Sequence, residues 1–181
     1  HPPTHSLVTR FADTRLFVYN RQHTLRIKLP LTFNTYGPRM HPNDGRVVSN
    51  FIVQALKGED ITIFGDGQQT RAFCYVDDLL DGFMKLMGSP DDITGPVNLG
   101  NPEEYTVIEL ANTILDLTGS KSKLAHKPMP NDDPRQRKPD ISLARNTLNW
   151  QPSTSVTDGL KKTIDYFDNL IGRGFDHADL N

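Results

Sequence analysis

The sequence predicts an α/β protein, because short strand-like segments alternate with segments of helical periodicity along its 181 residues. Two further observations support this class. A stretch rich in Gly, Pro and Asn follows the first strand-like segment, and the later strand-like segments are short and separated by loops. The length suffices for one domain, or for one complete lobe and part of another.

The beginning of the chain is predicted to form a helix, a strand and a loop. Apolar side chains at helical spacing predict a helix over residues 7–22, and apolar alternation predicts a strand over residues 25–33. Pro30 lacks an N–H for a strand ladder, so we expect it at an edge or a bulge. Residues 34–45 are predicted to form a loop at the strand's carboxyl end, where α/β proteins place ligand sites.

From residue 46 onward, helices and strands alternate more closely. Residues 46–57 have the apolar spacing of a helix, and Gly58 suits its left-handed cap. Thr106 and Glu109 have the spacing of a capping box, which opens a helix that Gly119 ends. The other predicted elements are strands at 61–64, 71–75, 96–99 and 124–130, helices at 77–87, 141–148 and 157–171, and a polar tail at 172–181.

Composition excludes several kinds of partner. Twenty Lys and Arg against 22 Asp and Glu give a net charge of −2, without the basic field that holds nucleic acid. No apolar run approaches the roughly 20 residues of a membrane helix, so we expect neither a nucleic-acid nor a membrane partner. Cys74 is the single cysteine, which is typical of a reducing compartment and predicts a cytoplasmic location. Because the chain begins with His1 rather than Met, we expect a processed or partial product.

Three segments carry residues suited to an anionic ligand. Asn34 lies in the string FNTYGPR, where its amide can donate to an anion, although an ordinary turn would use the same residues. Residues 65–73 are interpreted as a hairpin-like turn that delivers Arg71, whose guanidinium suits a diphosphate or a surface acid. Residues 132–140 include Arg137, and this charged stretch by itself is typical of a solvated loop.

Together these segments resemble one family. Residues 34–171 are similar to the carboxy-terminal part of UDP-glucuronate decarboxylases, which are extended short-chain dehydrogenases of the NAD-dependent epimerase/dehydratase type. The epimerase and dehydratase relatives share the layout but lack the RKPD stretch, which favours the decarboxylases. The resemblance is carried by five strings in the family's order: FNTYGPRM, NDGRVVSNFI, ITIFGDGQQTRAFCYVDDL, PVNLGNPEEYTVIELA and DDPRQRKPDI.

The resemblance implies a lyase reaction on a UDP-sugar. In this family a tightly held NAD oxidises the C4 hydroxyl of UDP-glucuronate, the C5 carboxylate leaves as carbon dioxide, and the returned hydride gives UDP-xylose. At the matching positions, Asn34 would donate to the diphosphate, and Val48 and Asn50 would lie near the uridine. Arg71 would neutralise phosphate charge, and Arg137 would sit near the sugar or the diphosphate. The family also implies a homodimer formed through the first helix.

The departures from the family concern catalysis. The family's catalytic pair is Tyr-x-x-x-Lys, and alignment places His5 and Thr9 at those two positions. No catalytic residue of the pair is therefore intact. His5 could accept a proton, but its position favours an incidental surface histidine. The sequence before it has no room for a glycine-rich dinucleotide turn, and Pro30 and Leu31 replace a small residue and an arginine.

We therefore predict a remnant of a Rossmann-type sheet followed by the smaller, substrate-binding lobe. Residues 1–40 would be the last helix and strand of the NAD-binding domain, residues 41–171 the UDP-sugar-binding lobe, and residues 172–181 a polar tail. Three interpretations stay open: part of a working decarboxylase or related epimerase or dehydratase, an inactive UDP-sugar-binding remnant, or a module that docks on an intact homologue.

Overall fold

The computed structural model describes residues 4–129 and 138–174, with side chains from residue 14 onward. Its helices are α1 (Thr4–His23), α2 (Val47–Lys57), α3 (Val76–Met87), α4 (Val107–Thr118), α5 (Ser142–Leu148) and α6 (Val156–Gly172). Its strands are β1 (Pro30–Thr32), β2 (Thr35–Tyr36), β3 (Ile61–Phe64), β4 (Thr70–Ala72), β5 (Cys74–Tyr75), β6 (Val97–Leu99), β7 (Glu104–Thr106) and β8 (Leu124–Lys127). The mixture confirms the predicted α/β class.

Within the described residues the strands form four separate pairs. Three pairs are parallel, namely β1 with β6, β2 with β5, and β3 with β8. The fourth pair, β4 with β7, is antiparallel and sets Arg71 opposite Tyr105. Every parallel pair joins segments distant in sequence, so later parts of the chain fold back repeatedly onto earlier ones.

Two apolar clusters hold these pairs together. The larger one joins the inner faces of α2, α4 and α6 to β3, with Ile52, Ile63, Leu110 and Leu160 fully buried at its centre. The smaller one surrounds β6 and lies between α3 and α5, with Trp150 at its base. Because α2 packs in the larger cluster, the loop before it is held close to β4, and this placement creates the candidate site. No helix in the described part of the chain is long and apolar enough to cross a membrane.

The helix predictions are confirmed with small shifts at their ends. Gly58 ends α2 with a φ of 70°, and Gly119 ends α4 with a φ of 64°, so both adopt the left-handed cap conformation that glycine favours. The capping box is also present: Glu109 N–H donates to Thr106 Oγ1 at 3.1 Å, and Thr106 N–H donates to Glu109 Oε2 at 2.8 Å. Residues 175–181 of the predicted tail lie outside the described residues.

The strand predictions need correction. The strand predicted at 25–33 is limited to β1, because Leu25 is 49% exposed and the apolar alternation does not bury the early residues. Pro30 is the first residue of that strand, where its missing N–H is tolerated. The predicted loop at 34–45 begins with β2, and β7 was not predicted. The turn at 65–73 is not a hairpin, since β3 pairs with β8 and β4 pairs with β7.

Candidate functional site

A cavity of about 110 Å³ opens between the loop after β1, the start of α2 and strand β4. Asn34, Val48 and Arg71 all line it, together with Arg46 and Phe73. Two arginines thus border one small cavity, and no acidic side chain is among its described lining residues. Such a combination of positive charge and apolar wall suits an anionic group attached to an apolar body.

Arg71 lies in β4, opposite Tyr105 of β7. Its side chain is buried, with 8% of the residue exposed, and its Nη1 donates to the carbonyl of Thr70 at 2.7 Å. The facing residue, Tyr105, stays neutral at physiological pH, because burial and a hydrogen bond with Glu103 raise its pKa to about 12. Burial and the hydrogen bond to Thr70 restrict the Arg71 guanidinium before a ligand binds, which lowers the entropy cost of binding.

Arg46 is positioned at the entrance of α2 by Asp44. The Asp44 carboxylate accepts from the Arg46 main-chain N–H at 3.0 Å and pairs with Arg46 Nε at 2.7 Å. The same carboxylate accepts from the Ser49 hydroxyl, so it ties the loop to the first turn of the helix. Arg46 Nη1 also donates to the Thr35 carbonyl at 3.3 Å, which keeps the arginine against the strand that follows Asn34.

Asn34 is partly committed to holding strands together. Its side-chain Nδ2 donates to the Ala72 carbonyl at 3.3 Å, and its own carbonyl accepts from the Cys74 N–H at 2.8 Å. An amide nitrogen carries two N–H groups, so one remains for a ligand in the cavity. Asn34 thus ties the site to β4 and β5 while it lines the site.

A second cavity of about 140 Å³ adjoins the first and shares Val47 and Arg71 with it. Asn50 lines this second cavity, with Phe64 and Gln69. Asn50 Nδ2 donates to the Gly45 carbonyl at 3.2 Å, which anchors the loop before α2. The two cavities share part of their wall: the first has both arginines, and the second has aromatic side chains beside polar ones.

The structure therefore gathers Asn34, Val48, Asn50 and Arg71 around two joined cavities. Their roles toward a ligand stay predictions. His5 and Thr9 both belong to α1, in the part of that helix whose side chains are not described. Arg137 lies outside the described residues.

Sequence reasoning missed Arg46 and Gln69 as lining residues. Arg46 was present in the string NDGRVVSNFI, and its place directly after a turn and before a helix was the available signal. Gln69 had no such signal, since it stands beside a second glutamine, Gln68, and nothing in the sequence separates the buried one from the exposed one. Among the described residues no group of three or more His, Cys, Asp or Glu could hold a metal ion.

Comparison with curated proteins finds several close relatives. The chain is 50% identical over 158 residues to UDP-glucuronic acid decarboxylase 1 of Danio rerio, covering 87% of this chain and 37% of that protein. It is 51% identical over 151 residues to UDP-glucuronic acid decarboxylase 5 of Arabidopsis thaliana, covering 83% of this chain and 44% of that protein. The chain thus spans less than half the length of these relatives.

Solved structures share the fold. The UDP-glucose 4-epimerase of Thermotoga maritima, solved with UDP-glucose, matches with a TM-score of 0.83 and 31% identity over 87% of this chain and 51% of that chain. The UDP-glucuronic acid 4-epimerase of Bacillus cereus, solved with UDP-glucuronic acid and NAD, matches with a TM-score of 0.81 and 30% identity over 90% of this chain and 52% of that chain.

The family assignment rests on a longer match than any single motif. Residues 8–100 match the model of the "NAD dependent epimerase/dehydratase family", a range that contains most of α1, both arginines of the first cavity and every lining residue of the second cavity except Val107. The chain belongs to the NAD dependent epimerase/dehydratase family.

Proposed function

We propose that this chain supplies the UDP-sugar-binding part of a UDP-glucuronate decarboxylase, which converts UDP-glucuronate to UDP-xylose and carbon dioxide. The observation that carries the proposal is the gathering of Asn34, Arg46 and Arg71 around one cavity that adjoins a second, whose wall includes the aromatic side chains of Phe51 and Phe64. A nucleoside diphosphate has this same division into charged and apolar parts.

In the proposed complex the diphosphate lies in the first cavity. Arg71 and Arg46 neutralise its charge, and the spare N–H of Asn34 donates to a phosphate oxygen. The uridine extends from Val48 in the first cavity into the second cavity, toward Asn50. Since Arg71 is buried and already oriented, its hydrogen bonds to phosphate are shielded from water.

The identities of the relatives favour the decarboxylase over the epimerase reaction. The curated decarboxylases are 50% and 51% identical to this chain, whereas the solved epimerases are 31% and 30% identical. An epimerase or dehydratase remains the alternative of the same family. An inactive UDP-sugar-binding remnant is the alternative outside enzyme function, since no Tyr-x-x-x-Lys pair occupies the positions of His5 and Thr9.

The cofactor of the family is NAD, but the described residues lack the unit that binds a dinucleotide. That unit needs a glycine-rich turn between a parallel strand and a helix. The glycine turn of this chain, Gly65-Asp66-Gly67, leads into β4 instead of a helix. These residues therefore do not fit NAD, and we assign no redox step to them. If NAD acts with this site, other residues hold it.

The remaining predictions extend the same proposal. Residues 1–40 belong to the cofactor-binding domain, residues 41–171 form the UDP-sugar-binding lobe, and residues 172–181 form a tail. A homodimer would form through α1, where the side chains of Leu16 and Tyr19 are each 43% exposed. We place the protein in the cytoplasm on the basis of its single, buried cysteine.

Calorimetric titration of UDP into the purified chain tests the proposal. Wild type should bind UDP saturably, and NAD titrated under the same conditions should give no saturable heat. A charge-assisted hydrogen bond contributes about 1.5–3 kcal/mol, so Arg71→Ala should weaken UDP about tenfold or more. Arg71→Lys keeps the charge but loses the planar guanidinium, so its affinity for UDP should lie between those of wild type and Arg71→Ala.

Arg173→Ala is the matched control, because Arg173 is exposed just after α6 and lines neither cavity. Its UDP affinity should equal that of wild type. Arg137→Ala tests the role that the family resemblance assigns to that residue. Thermal unfolding of each variant separates loss of binding from loss of fold. Absence of saturable UDP binding by wild type, or equal behaviour of the Arg71→Ala and Arg173→Ala variants, would overturn the proposal.

A further inference from the structure

Gln69 presents an unusual feature in the wall of the second cavity. The residue is 8% exposed, and its side-chain Oε1 is buried without a hydrogen-bond partner among the described residues. Its Nε2 donates to the Phe64 carbonyl at 2.9 Å, which assigns the nitrogen and the oxygen of the amide, because a flipped amide would set oxygen against oxygen. A buried acceptor that lacks a donor is costly, so most native structures provide one.

The main chain around Gln69 is also fixed. Its carbonyl accepts from the Val107 N–H at 3.2 Å, at the first residue of α4, and the residue directly precedes β4. The side chain therefore stays in the cavity wall. Oε1 itself is covered in this structure, so a ligand reaches it through a rotation about the terminal torsion, which is broad and turns Oε1 toward the cavity.

The surroundings of Gln69 restrict what can supply the missing donor. Phe51, Phe64 and Val107 give the cavity apolar and aromatic walls, and Phe64 is 44% exposed at its rim. A flat, uncharged ring carrying an N–H group fits these walls better than a charged group, which would lose its hydration there. Arg71 lines both cavities, so a ring bound in the second cavity would lie next to the first cavity.

We propose that Gln69 selects the nucleobase, by accepting a hydrogen bond at Oε1 from the ring imide N–H of a uracil. The inference rests on the proposed UDP-sugar function and adds the residue that recognises the base. Uracil carries a donor at N3, whereas the N3 of cytosine is an acceptor and would face the Gln69 oxygen with a lone pair. The Gln69 amide thus distinguishes pyrimidine nucleotides by their hydrogen-bond polarity.

The experiment compares two probes that differ at one atom: UDP, and UDP methylated at N3 of its base. Wild type should bind UDP about tenfold more tightly than the methylated probe, because methylation removes the donor. In Gln69→Ala the affinity for UDP should drop to that of the methylated probe, while the affinity for the methylated probe should not fall. Gln68→Ala, at the adjacent exposed glutamine, should behave as wild type.

Three results would overturn the assignment of Gln69. Equal binding of both probes by wild type would show that no donor at N3 is recognised, and this comparison needs no variant to fold. Equal weakening of both probes in Gln69→Ala would mark a structural role. Retained discrimination in Gln69→Ala would place the acceptor elsewhere. All three leave UDP binding intact and thus leave the proposed function standing, whereas failure of wild type to bind UDP would remove both.

Discussion

The indole Nε1–H of Trp150 donates to the main-chain carbonyl of Asp78 at 3.0 Å, and the Asp78 carboxylate accepts from the residues that follow the tryptophan. Its Oδ1 accepts from the Ser153 hydroxyl and its Oδ2 from the Thr154 N–H, each at 2.9 Å. One buried aspartate therefore joins the first turn of α3 to the segment that leads into α6. Three hydrogen bonds depend on its position.

Replacing Asp78 with Asn should lower the free energy of unfolding by about 1–3 kcal/mol, because an amide N–H₂ replaces one of the two carboxylate oxygens that accept from Ser153 and Thr154. Asp81→Asn is the matched control on the same helix: Asp81 is exposed and pairs with Lys85 at 2.8 Å, a surface pair worth about 0–1 kcal/mol. Urea unfolding of the two variants makes the comparison. Equal losses would mean that the Asp78 contacts contribute no more than a surface ion pair.

Gly67 should tolerate substitution less well than Gly58. Both have a positive φ, 73° and 70°, so alanine costs about 1–2 kcal/mol at either position from the backbone alone. A Cβ on Gly67 would also lie 2.5 Å from Ile108 Cγ1, whereas a Cβ on Gly58 would meet nothing within 4 Å. Overpacking should add about 1–3 kcal/mol to the loss for Gly67→Ala.

Chemical denaturation of Gly67→Ala and Gly58→Ala measures the difference directly, since the shared backbone contribution cancels. Gly67 lies in the turn between β3 and β4, so its variant should also weaken UDP binding at the second cavity. A Gly67→Ala loss no greater than that of Gly58→Ala would contradict the crowding that the structure shows.

The free energy of unfolding should decrease at alkaline pH because Cys74 is buried. Burial, with a smaller contribution from Asp78, raises the pKa of its thiol from 9.0 to about 12. Above pH 9.0 the unfolded chain therefore loses this proton while the folded chain keeps it. Stability is fully present below pH 9.0 and falls as the pH rises toward 12, by at most about 1.4 kcal/mol per pH unit from this group.

The measurement is the free energy of unfolding between pH 8 and about 10, below the range in which unfolded tyrosines ionise. Cys74→Ala removes the titrating thiol, so its free energy of unfolding should change less with pH over this range. Thiol labelling gives a second reading: because Cys74 is the single cysteine and is fully buried, native protein should label slowly and denatured protein rapidly. Identical pH slopes in the two proteins would refute the predicted contribution.

Local sequence signals predicted local structure well. The apolar spacing of residues 46–57 with Gly58, and the pair Thr106 and Glu109, each specify a helix end through contacts within a few residues. Strand pairing was harder to predict, because β3 and β8 are about 60 residues apart and their partners are chosen by packing in the core. The short β7 strand went unpredicted for the same reason, since its pairing with β4 is a tertiary contact.

In the candidate site, too, some residues could be predicted from the sequence and others depend on tertiary structure. Asn34, Val48, Asn50 and Arg71 came from family resemblance, and the structure places all four at adjoining cavities. Burial separates Gln69 from Gln68, and burial is a property of the folded chain that neighbouring letters do not encode. Arg46 depends on Asp44 for its orientation, which again requires the folded loop.

Because Arg71 and Val47 border both cavities, the phosphate and the base of the proposed UDP complex would share part of their wall. A substitution at either residue would change the binding of the phosphate and of the base together. Substitutions that retune one half alone must therefore occur at the far ends, near Asn34 or near Phe64. At these two ends, substitutions can change the preference for the base and the preference for the charged group independently. At Val47 and Arg71, one substitution would change both preferences.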